Sequence, residues 1–114
     1  MSKNGGSNPN PIPSTLCAPP LPVVIVGVGG GLSYASLNAT HHSLEDIAFL
    51  RTIPNLKISS PADPSEMKKI LYDYLKKKHG PSYIRLTGIP GSPNVYSDEY
   101  EYKLGENITL KKGL

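Results

Sequence analysis

The sequence is short of cysteine, phenylalanine and tryptophan. Its 114 residues include one cysteine, Cys17, one phenylalanine and no tryptophan. One cysteine cannot form a disulfide within the chain, and it excludes a metal site built from several thiolates. The length allows one small domain and no more, since domains mostly have about 100–150 residues.

The sequence also lacks a long apolar run. No run approaches the roughly 20 consecutive apolar residues of a transmembrane helix, and no apolar segment follows Lys3 as a secretory signal requires. Residues 1–20 are instead rich in Pro, Gly, Ser and Asn, which predicts a disordered or polyproline-like leader. We therefore expect a soluble cytoplasmic protein that does not bind membranes.

The excess of positive charge is small. The net charge is +3, and the lysines cluster at 68–69, 76–78 and 111–112 rather than among aromatic residues on one face. Proteins that bind nucleic acids usually combine a strongly basic surface with aromatic side chains that stack on bases. The sequence therefore argues against nucleic-acid binding.

Three segments have the composition of β-strands. Residues 22–28 form a continuous β-branched apolar run, which predicts a strand buried on both faces, as in a parallel sheet. Shorter runs at 55–60 and 82–87 predict a second and a third strand.

Two helices are predicted between these strands. Ser43 is expected to cap the first helix, with Asp46 in its first turn. The expected buried side of that helix consists of Leu44, Ile47, Ala48 and Leu50. The second helix begins with Asp63 as its cap, followed by Pro64 and by Glu66 at the third position. Its expected buried stripe consists of Met67, Ile70, Leu71, Tyr74 and Leu75.

The order strand, helix, strand, helix, strand predicts an α/β fold with a partial doubly wound, Rossmann-like parallel sheet. Within residues 89–114, the stretch 102–110 has the pattern of two short strands about a turn, which predicts a β-hairpin-like extension. Three strands make a thin sheet, and a bare edge strand rich in Val and Ile invites association. We therefore expect a piece of a larger domain, or a chain that needs a partner to supply further strands.

Gly29, Gly30 and Gly31 lie at the predicted carboxyl end of the first strand, where open parallel sheets bind ligands. Consecutive amides at such a turn can form an anion-binding nest, so a small binder of phosphate ligands is one interpretation. A flexible turn is the other. The spacing argues against a dinucleotide fingerprint, because Leu32 stands where a third glycine is needed and the helix begins only near Ser43.

His41 and His42 follow in a loop ahead of Glu45 and Asp46. The pairs His41/Glu45 and His42/Asp46 have the i, i+4 spacing of ligands on a helix. The two pairs point in different directions, however, and no further His, Cys or acid cluster completes a metal shell. We therefore favour a hydrogen-bonded or ligand-facing histidine pair over a metal site.

Several short motifs together resemble a known family. They are Thr40-His41-His42, Glu45-Asp46, Arg51-x-x-Pro54-Asn55, Pro61-Ala62-Asp63 and Gly80-Pro81-Ser82. In this order and spacing, residues 21–88 resemble the later half of the pyrimidine-binding domain of transketolases, and most of all the C-terminal subunit of bacterial split transketolases. Residues 89–114 resemble a linker with short strands that leads toward a C-terminal domain, whereas residues 1–20 show no resemblance.

The resemblance implies an enzyme that depends on thiamine diphosphate with Mg²⁺, bound between two subunits. It implies two-carbon ketol transfer between sugar phosphates, with most of the chemistry carried by the cofactor. It also implies that the chain works with a complementary transketolase subunit or a homodimer partner.

By the same resemblance, the residues expected in the substrate channel are His41, His42, Gly29, Gly30 and Gly31. His41 matches the family's histidine that faces the channel and handles substrate oxygens. At three positions the sequence departs from the better-known transketolases. Gly29 stands where those enzymes have a channel histidine. Leu37 stands where they have a substrate-binding aspartate, and Gly88 where they have a phosphate-binding arginine. Arg85 lies near enough in sequence to offer a shifted basic contact.

The family's glutamate that activates the cofactor belongs to the first half of the domain, where this sequence has the Pro-rich leader. No catalytic or cofactor-binding residue is therefore assigned. We expect the isolated chain to be inactive and to act as a split piece completed by another chain. The alternative is a non-catalytic α/β interaction module, or a degenerate remnant of such an enzyme.

Overall fold

The computed structural model describes residues 21–88, 91–96 and 100–109. The strands are β1 (Val24–Val28), β2 (Lys57–Ser59) and β3 (Ser82–Leu86), and the helices are α1 (Asp46–Leu50) and α2 (Pro64–Lys77). Two short 3-10 turns, Ala35–Leu37 and Ala39–His41, lie between β1 and α1. The predicted α/β order is confirmed, and the predicted leader lies outside the described residues. No helix among the described residues is long and apolar enough to cross a membrane.

The three strands form one parallel sheet in which the last strand is central. The order is β1-β3-β2, and β3 pairs with both neighbours in parallel. Ile84 of β3 is opposite Val26 on one side and Ser59 on the other. Ile84 is fully buried and packs with Ile70 and Tyr74 of α2. The sheet therefore holds together through a strand that is the last of the three in sequence.

The prediction that the first strand is buried on both faces is wrong. β1 lies at an edge of the sheet, and Val26 and Val28 are 42% and 69% exposed. Val24 lies on the same face of β1 and packs against the core beneath α2. The cover that α2 provides does not extend to the carboxyl end of β1. The apolar side chains near the carboxyl end of β1 are therefore partly exposed to solvent in this chain.

Helix α2 begins as predicted. The Asp63 side chain accepts a hydrogen bond from the Glu66 amide at 2.8 Å, and the Glu66 side chain accepts one from the Ala62 amide at 2.7 Å. Lys78 ends the helix in the left-handed conformation, with φ of 49°. Leu75, which was expected in the buried stripe, is exposed, whereas the rest of the stripe is buried or half-buried.

Helix α1 begins later than predicted. Its capping position is Glu45, which makes no side-chain cap, so the prediction that Ser43 caps this helix is wrong. Leu50 is buried and packs with Ile53, but Leu44 and Ala48 of the expected buried side are exposed. The backbone of Ser43 instead pairs with Gly31 in an antiparallel bridge, and the helix begins three residues later, at Asp46. We call residues 29–31 the glycine turn.

The predicted hairpin-like extension is not formed in the described part of the C-terminal region. Residues 100–109 contain a turn at Leu104–Gly105 but no strand. Asp63 accepts hydrogen bonds from the amides of Val95 and Tyr96, at 2.8 and 2.6 Å. These two bonds hold residues 95–96, which precede the predicted hairpin, against the start of α2.

Candidate functional site

The glycine turn closes the carboxyl end of β1 against β3. Gly29 and Gly31 have φ of 76° and 68°, a left-handed conformation that glycine adopts without strain. The Gly30 amide donates to the Leu86 carbonyl at 2.9 Å, which extends the parallel pairing beyond β1. The Ser33 hydroxyl lies 2.7 Å from the Gly30 carbonyl and 2.5 Å from the Thr87 carbonyl. The start of the loop is therefore fixed to the end of β3.

A short antiparallel bridge fixes the other end of the same loop. The Gly31 amide donates to the Ser43 carbonyl at 2.7 Å, and the Ser43 amide donates to the Gly31 carbonyl at 3.1 Å. Residues 32–42, which include both 3-10 turns, thus form a loop with adjacent ends. We call residues 32–42 the channel loop, after the substrate channel that the sequence resemblance predicts here.

The hypothesis of an anion-binding nest at the glycine turn is not supported. An anion nest needs free amides. The amides of Gly30 and Gly31 both donate to protein carbonyls. The glycines serve to bring the turn close to β3, since a Cβ atom at Gly30 would lie 2.9 Å from Cζ of Arg85.

Beneath the glycine turn lies an ion pair that the sequence pattern did not predict. Arg85 Nε donates to Asp46 Oδ2 at 2.8 Å, and Arg85 Nη2 donates to the Ser43 carbonyl at 2.9 Å. The two side chains are 13% and 11% exposed. The Tyr83 hydroxyl also donates to Asp46, at 3.2 Å. The one feature of the sequence that could have indicated this ion pair is the arginine within a predicted strand, because a buried charge needs a partner.

The electrostatics of this cluster favour an ionised Asp46. Burial alone would raise the pKa of Asp46, but the hydrogen bond and the charge of Arg85 outweigh it, and the pKa is lowered. Burial and the neighbouring Asp46 charge raise the pKa of Tyr83. At neutral pH the cluster is therefore an ion pair with a neutral tyrosine. Arg85 is directed into the protein and does not offer the shifted basic contact considered above.

The two histidines occupy different environments. His41 is exposed, and its Nδ1 lies 3.0 Å from the Thr40 hydroxyl. Whichever of the two atoms donates in this contact, Nε2 is the nitrogen left for another group. His42 is half-buried, and its Nε2 is enclosed without a partner among the described residues. His41 is thus the histidine that can meet a substrate from solvent.

The predicted metal-ligand spacing is not realised on a helix. Because α1 begins at Asp46, neither His41/Glu45 nor His42/Asp46 lies within one helix. In the described ranges, no three His, Cys, Asp or Glu side chains come together as a metal site would require.

A cleft of about 530 Å³ lies beside the glycine turn. Its lining consists of Gly30, Gly31, Leu32, Ser33, Ala35, Thr87, Gly88 and Ser92. Two predicted channel residues, Gly30 and Gly31, form part of its wall, whereas neither histidine lines it. Gly88, which stands where the better-known transketolases have an arginine, is also part of the lining, and none of these lining residues is cationic.

The described residues do not by themselves fit thiamine diphosphate. A carboxylate that activates the cofactor must be enclosed and free, but Asp63 and Asp73 are hydrogen-bonded. Asp46 keeps one enclosed oxygen, Oδ1, without a partner among the described residues, but its other oxygen is paired with Arg85. Burial would raise the pKa of Asp46 and Asp63, yet the hydrogen bonds that they accept lower it in both. The hydrogen bond from Lys77 lowers the pKa of Asp73. These carboxylates are engaged in holding the fold.

Comparison with known proteins gives consistent matches. Residues 14–88 match the family described as "Transketolase, pyrimidine binding domain". The chain is 44% identical over 95 residues to a subunit of the apulose-4-phosphate transketolase of Phocaeicola vulgatus, a match that covers 80% of this chain and 29% of that protein. The corresponding subunit of Actinobacillus succinogenes is 40% identical over 91 residues, with the same coverage.

A solved structure gives the same result. A "split gene transketolase, inactive beta4 tetramer" superposes with a TM-score of 0.62 at 31% identity, over 86% of this chain and 30% of that one. The chain therefore spans less than a third of the length of these relatives.

Proposed function

The chain belongs to the transketolase family, as part of its pyrimidine-binding domain, and on this premise we propose that it forms one wall of the substrate channel in a transketolase-type enzyme. The reaction is the transfer of a two-carbon ketol unit between sugar phosphates. His41 and His42 with Gly29, Gly30 and Gly31 belong to this wall, and His41 is the residue that contacts substrate.

The placement of His41 carries this proposal. It lies on the channel loop, whose ends are fixed at the carboxyl edge of the sheet by Ser33 and by the Gly31–Ser43 bridge. Its imidazole is exposed, and Thr40 restrains Nδ1. An imidazole in this setting can exchange a hydrogen bond or a proton with a sugar hydroxyl or carbonyl through Nε2.

The family depends on thiamine diphosphate, and we assign the cofactor and Mg²⁺ to the rest of the enzyme. This assignment is supported by the enclosed carboxylates described above, each of which accepts a hydrogen bond from this chain. The chain's own contribution is to orient the substrate and to manage protons at His41. On this assignment the isolated chain does not turn over a ketose donor.

The complementary part of the enzyme is proposed to cover the exposed edge of β1. Within the described ranges this strand pairs only with β3, so the backbone groups on its other side can accept another strand. The exposed side chains of Val26 and Val28 lie at this edge, and Leu32 and Leu44 are exposed nearby in sequence. The relatives are more than three times as long as the matched segment, which leaves ample chain to provide that cover.

A chimera tests the function. Residues 21–88 replace the matched segment of the P. vulgatus transketolase subunit, and the protein is assayed with its complementary subunit for ketol transfer. We expect measurable turnover, and we expect His41→Ala to lower kcat/KM by about 10²-fold, the lower end of the effects of general acid–base groups. Lys76→Ala, an exposed change at the far end of α2, is the matched control and should leave kcat/KM unchanged.

Two results would contradict the proposal. Equal kcat/KM values for the His41→Ala chimera and the Lys76→Ala chimera would remove His41 from the channel. A chimera that assembles with a native circular dichroism spectrum but shows no turnover would support a degenerate remnant that has kept the fold and lost the chemistry.

The proposed cover over the edge of β1 is tested in the same chimera. Val28→Lys places a charge on the exposed edge strand and is expected to abolish assembly, because burying an unpaired ammonium is costly. Leu75→Lys is the matched control, since Leu75 is also an exposed apolar residue but lies on α2. Size-exclusion chromatography gives the oligomeric state of each variant. Normal assembly of the Val28→Lys chimera would show that this edge is not covered.

A further inference from the structure

We propose that Arg85 is a positioning residue that holds the channel loop, and with it His41, in the geometry needed for substrate. Arg85 touches neither of the histidines in the described contacts and acts through Ser43. This inference rests on the proposed function for its kinetic consequence, but its structural part can be tested without it.

The channel loop depends on its two ends for its position. None of the residues in its two 3-10 turns is buried. Its first end is fixed by Ser33, and its second end by Ser43, which directly follows His42. Near the first end, Tyr34 of the loop also packs against Gly29. Ser43 is therefore the fixed point nearest to His41, two residues away in the chain.

Arg85, which lies in β3, connects Ser43 to the sheet. The Ser43 carbonyl accepts from the Gly31 amide at 2.7 Å and from Arg85 Nη2 at 2.9 Å. Nε and Nη2 lie along one edge of the guanidinium, so one planar group joins Ser43 to Asp46 at the start of α1. A lysine has a single donor atom at the end of a flexible chain and cannot reproduce this fork.

The glycine turn is built around the same guanidinium. A Cβ atom at Gly30 would lie 2.9 Å from both Cζ and Nε of Arg85, closer than such atoms pack. A glycine at this position lets Arg85 pass beneath the turn to reach Ser43. Gly30 thus has a packing role here, in a position that suggested phosphate binding from the sequence.

The structural test uses the full chain and amide hydrogen exchange followed by NMR. In Arg85→Lys we expect the amides of Gly31 and Ser43 to exchange at least 10-fold faster, and the imidazole ¹⁵N shifts of His41 to move toward those of a free histidine. The amides of β1 that pair with β3 should keep their protection. Gly30→Ala is a second variant that retains Arg85 but displaces it, and it should give the same pattern.

Tyr83→Phe is the matched control, because it removes the other donor to Asp46 and leaves both contacts of Arg85 intact. The exchange of the Gly31 and Ser43 amides should be unchanged in this variant. The proposal is overturned if Arg85→Lys leaves these two amides protected, or if it raises exchange equally throughout the sheet, which would indicate a general stabilising role.

The kinetic consequence is measured in the chimera. Arg85→Lys is expected to lower kcat about 10-fold with KM changed less than twofold, because a displaced group affects the reacting geometry more than binding. Faster loop exchange with unchanged kcat would contradict the proposed function of the channel loop and leave the positioning role intact. An unchanged loop with reduced kcat would contradict the positioning role.

Discussion

Replacement of Ile84 by alanine is expected to lower the free energy of unfolding of the chain by about 3 kcal/mol, within the 2–5 kcal/mol measured for buried Ile or Leu to Ala changes. Ile84 is fully buried in the central strand and clusters with Ile70 and Tyr74 of α2, and Val24 of β1 packs against this cluster. A cavity at this position loosens both strand neighbours and the helix above them at once. The measurement is urea unfolding of the full chain followed by circular dichroism.

Val28→Ala is the matched control for Ile84→Ala. Both residues are β-branched and lie in paired strands, but Val28 is 69% exposed at the sheet edge. The expected change is within about 0.5 kcal/mol, as for most surface substitutions. Similar urea midpoints for the two variants would mean that the sheet with α2 is not the cooperative core. Because small domains are stable by only about 5–15 kcal/mol, a loss of 3 kcal/mol is easily detected.

The features that could be predicted from the sequence are those fixed by neighbours in the chain. The start of α2 is the best example, because its two capping hydrogen bonds, from the Glu66 amide to Asp63 and from the Ala62 amide to Glu66, span only a few residues. The strand and helix order follows from local apolar periodicity in the same way. The resemblance carried by the motifs around His41 also extended over a continuous segment and is confirmed by the family match.

The features that could not be predicted depend on residues distant in sequence. Burial of β1 on both faces was inferred from its composition, but burial depends on what covers a strand, and composition does not specify that. The Arg85–Asp46 pair joins residues 39 apart in sequence, and Asp46 taken locally is only a favourable charge in the first turn of a helix. Serine is a favourable helix-capping residue, but the backbone of Ser43 pairs with Gly31 in a bridge instead.

The close packing of Tyr83 against Gly27 was also not predicted from the sequence. Gly27 lies in β1, where it lowers strand propensity, and its position faces the ring of Tyr83 on β3. A Cβ atom at Gly27 would lie 2.2 Å from the Tyr83 hydroxyl oxygen and 2.8 Å from Cε2. Tyr83 also packs against the core formed by Leu50 and Ile53 and donates to Asp46. Gly27 therefore provides the space in which Tyr83 joins the sheet to α1.

Gly27→Ala is consequently expected to destabilise the chain by about 2 kcal/mol, within the usual cost of overpacking, because the Tyr83 ring must move and lose its hydrogen bond to Asp46. Gly88→Ala is the control, since a Cβ atom there meets only Ser92 Oγ, at an ordinary 3.6 Å. Urea unfolding of the full chain gives both values. A Gly27→Ala variant as stable as Gly88→Ala would show that Tyr83 is not confined by β1.

A double-mutant cycle with Tyr83→Phe identifies the cause of that effect. Phenylalanine lacks the hydroxyl that makes the shortest contact, so the double variant Gly27→Ala/Tyr83→Phe is expected to be more stable than the sum of the single changes predicts, by about 1 kcal/mol. The ring carbons near Cε2 still limit the space, so the rescue should be partial. Strict additivity would place the cost of Gly27→Ala in the β1 backbone, and the link from the glycine through Tyr83 to Asp46 would then be wrong.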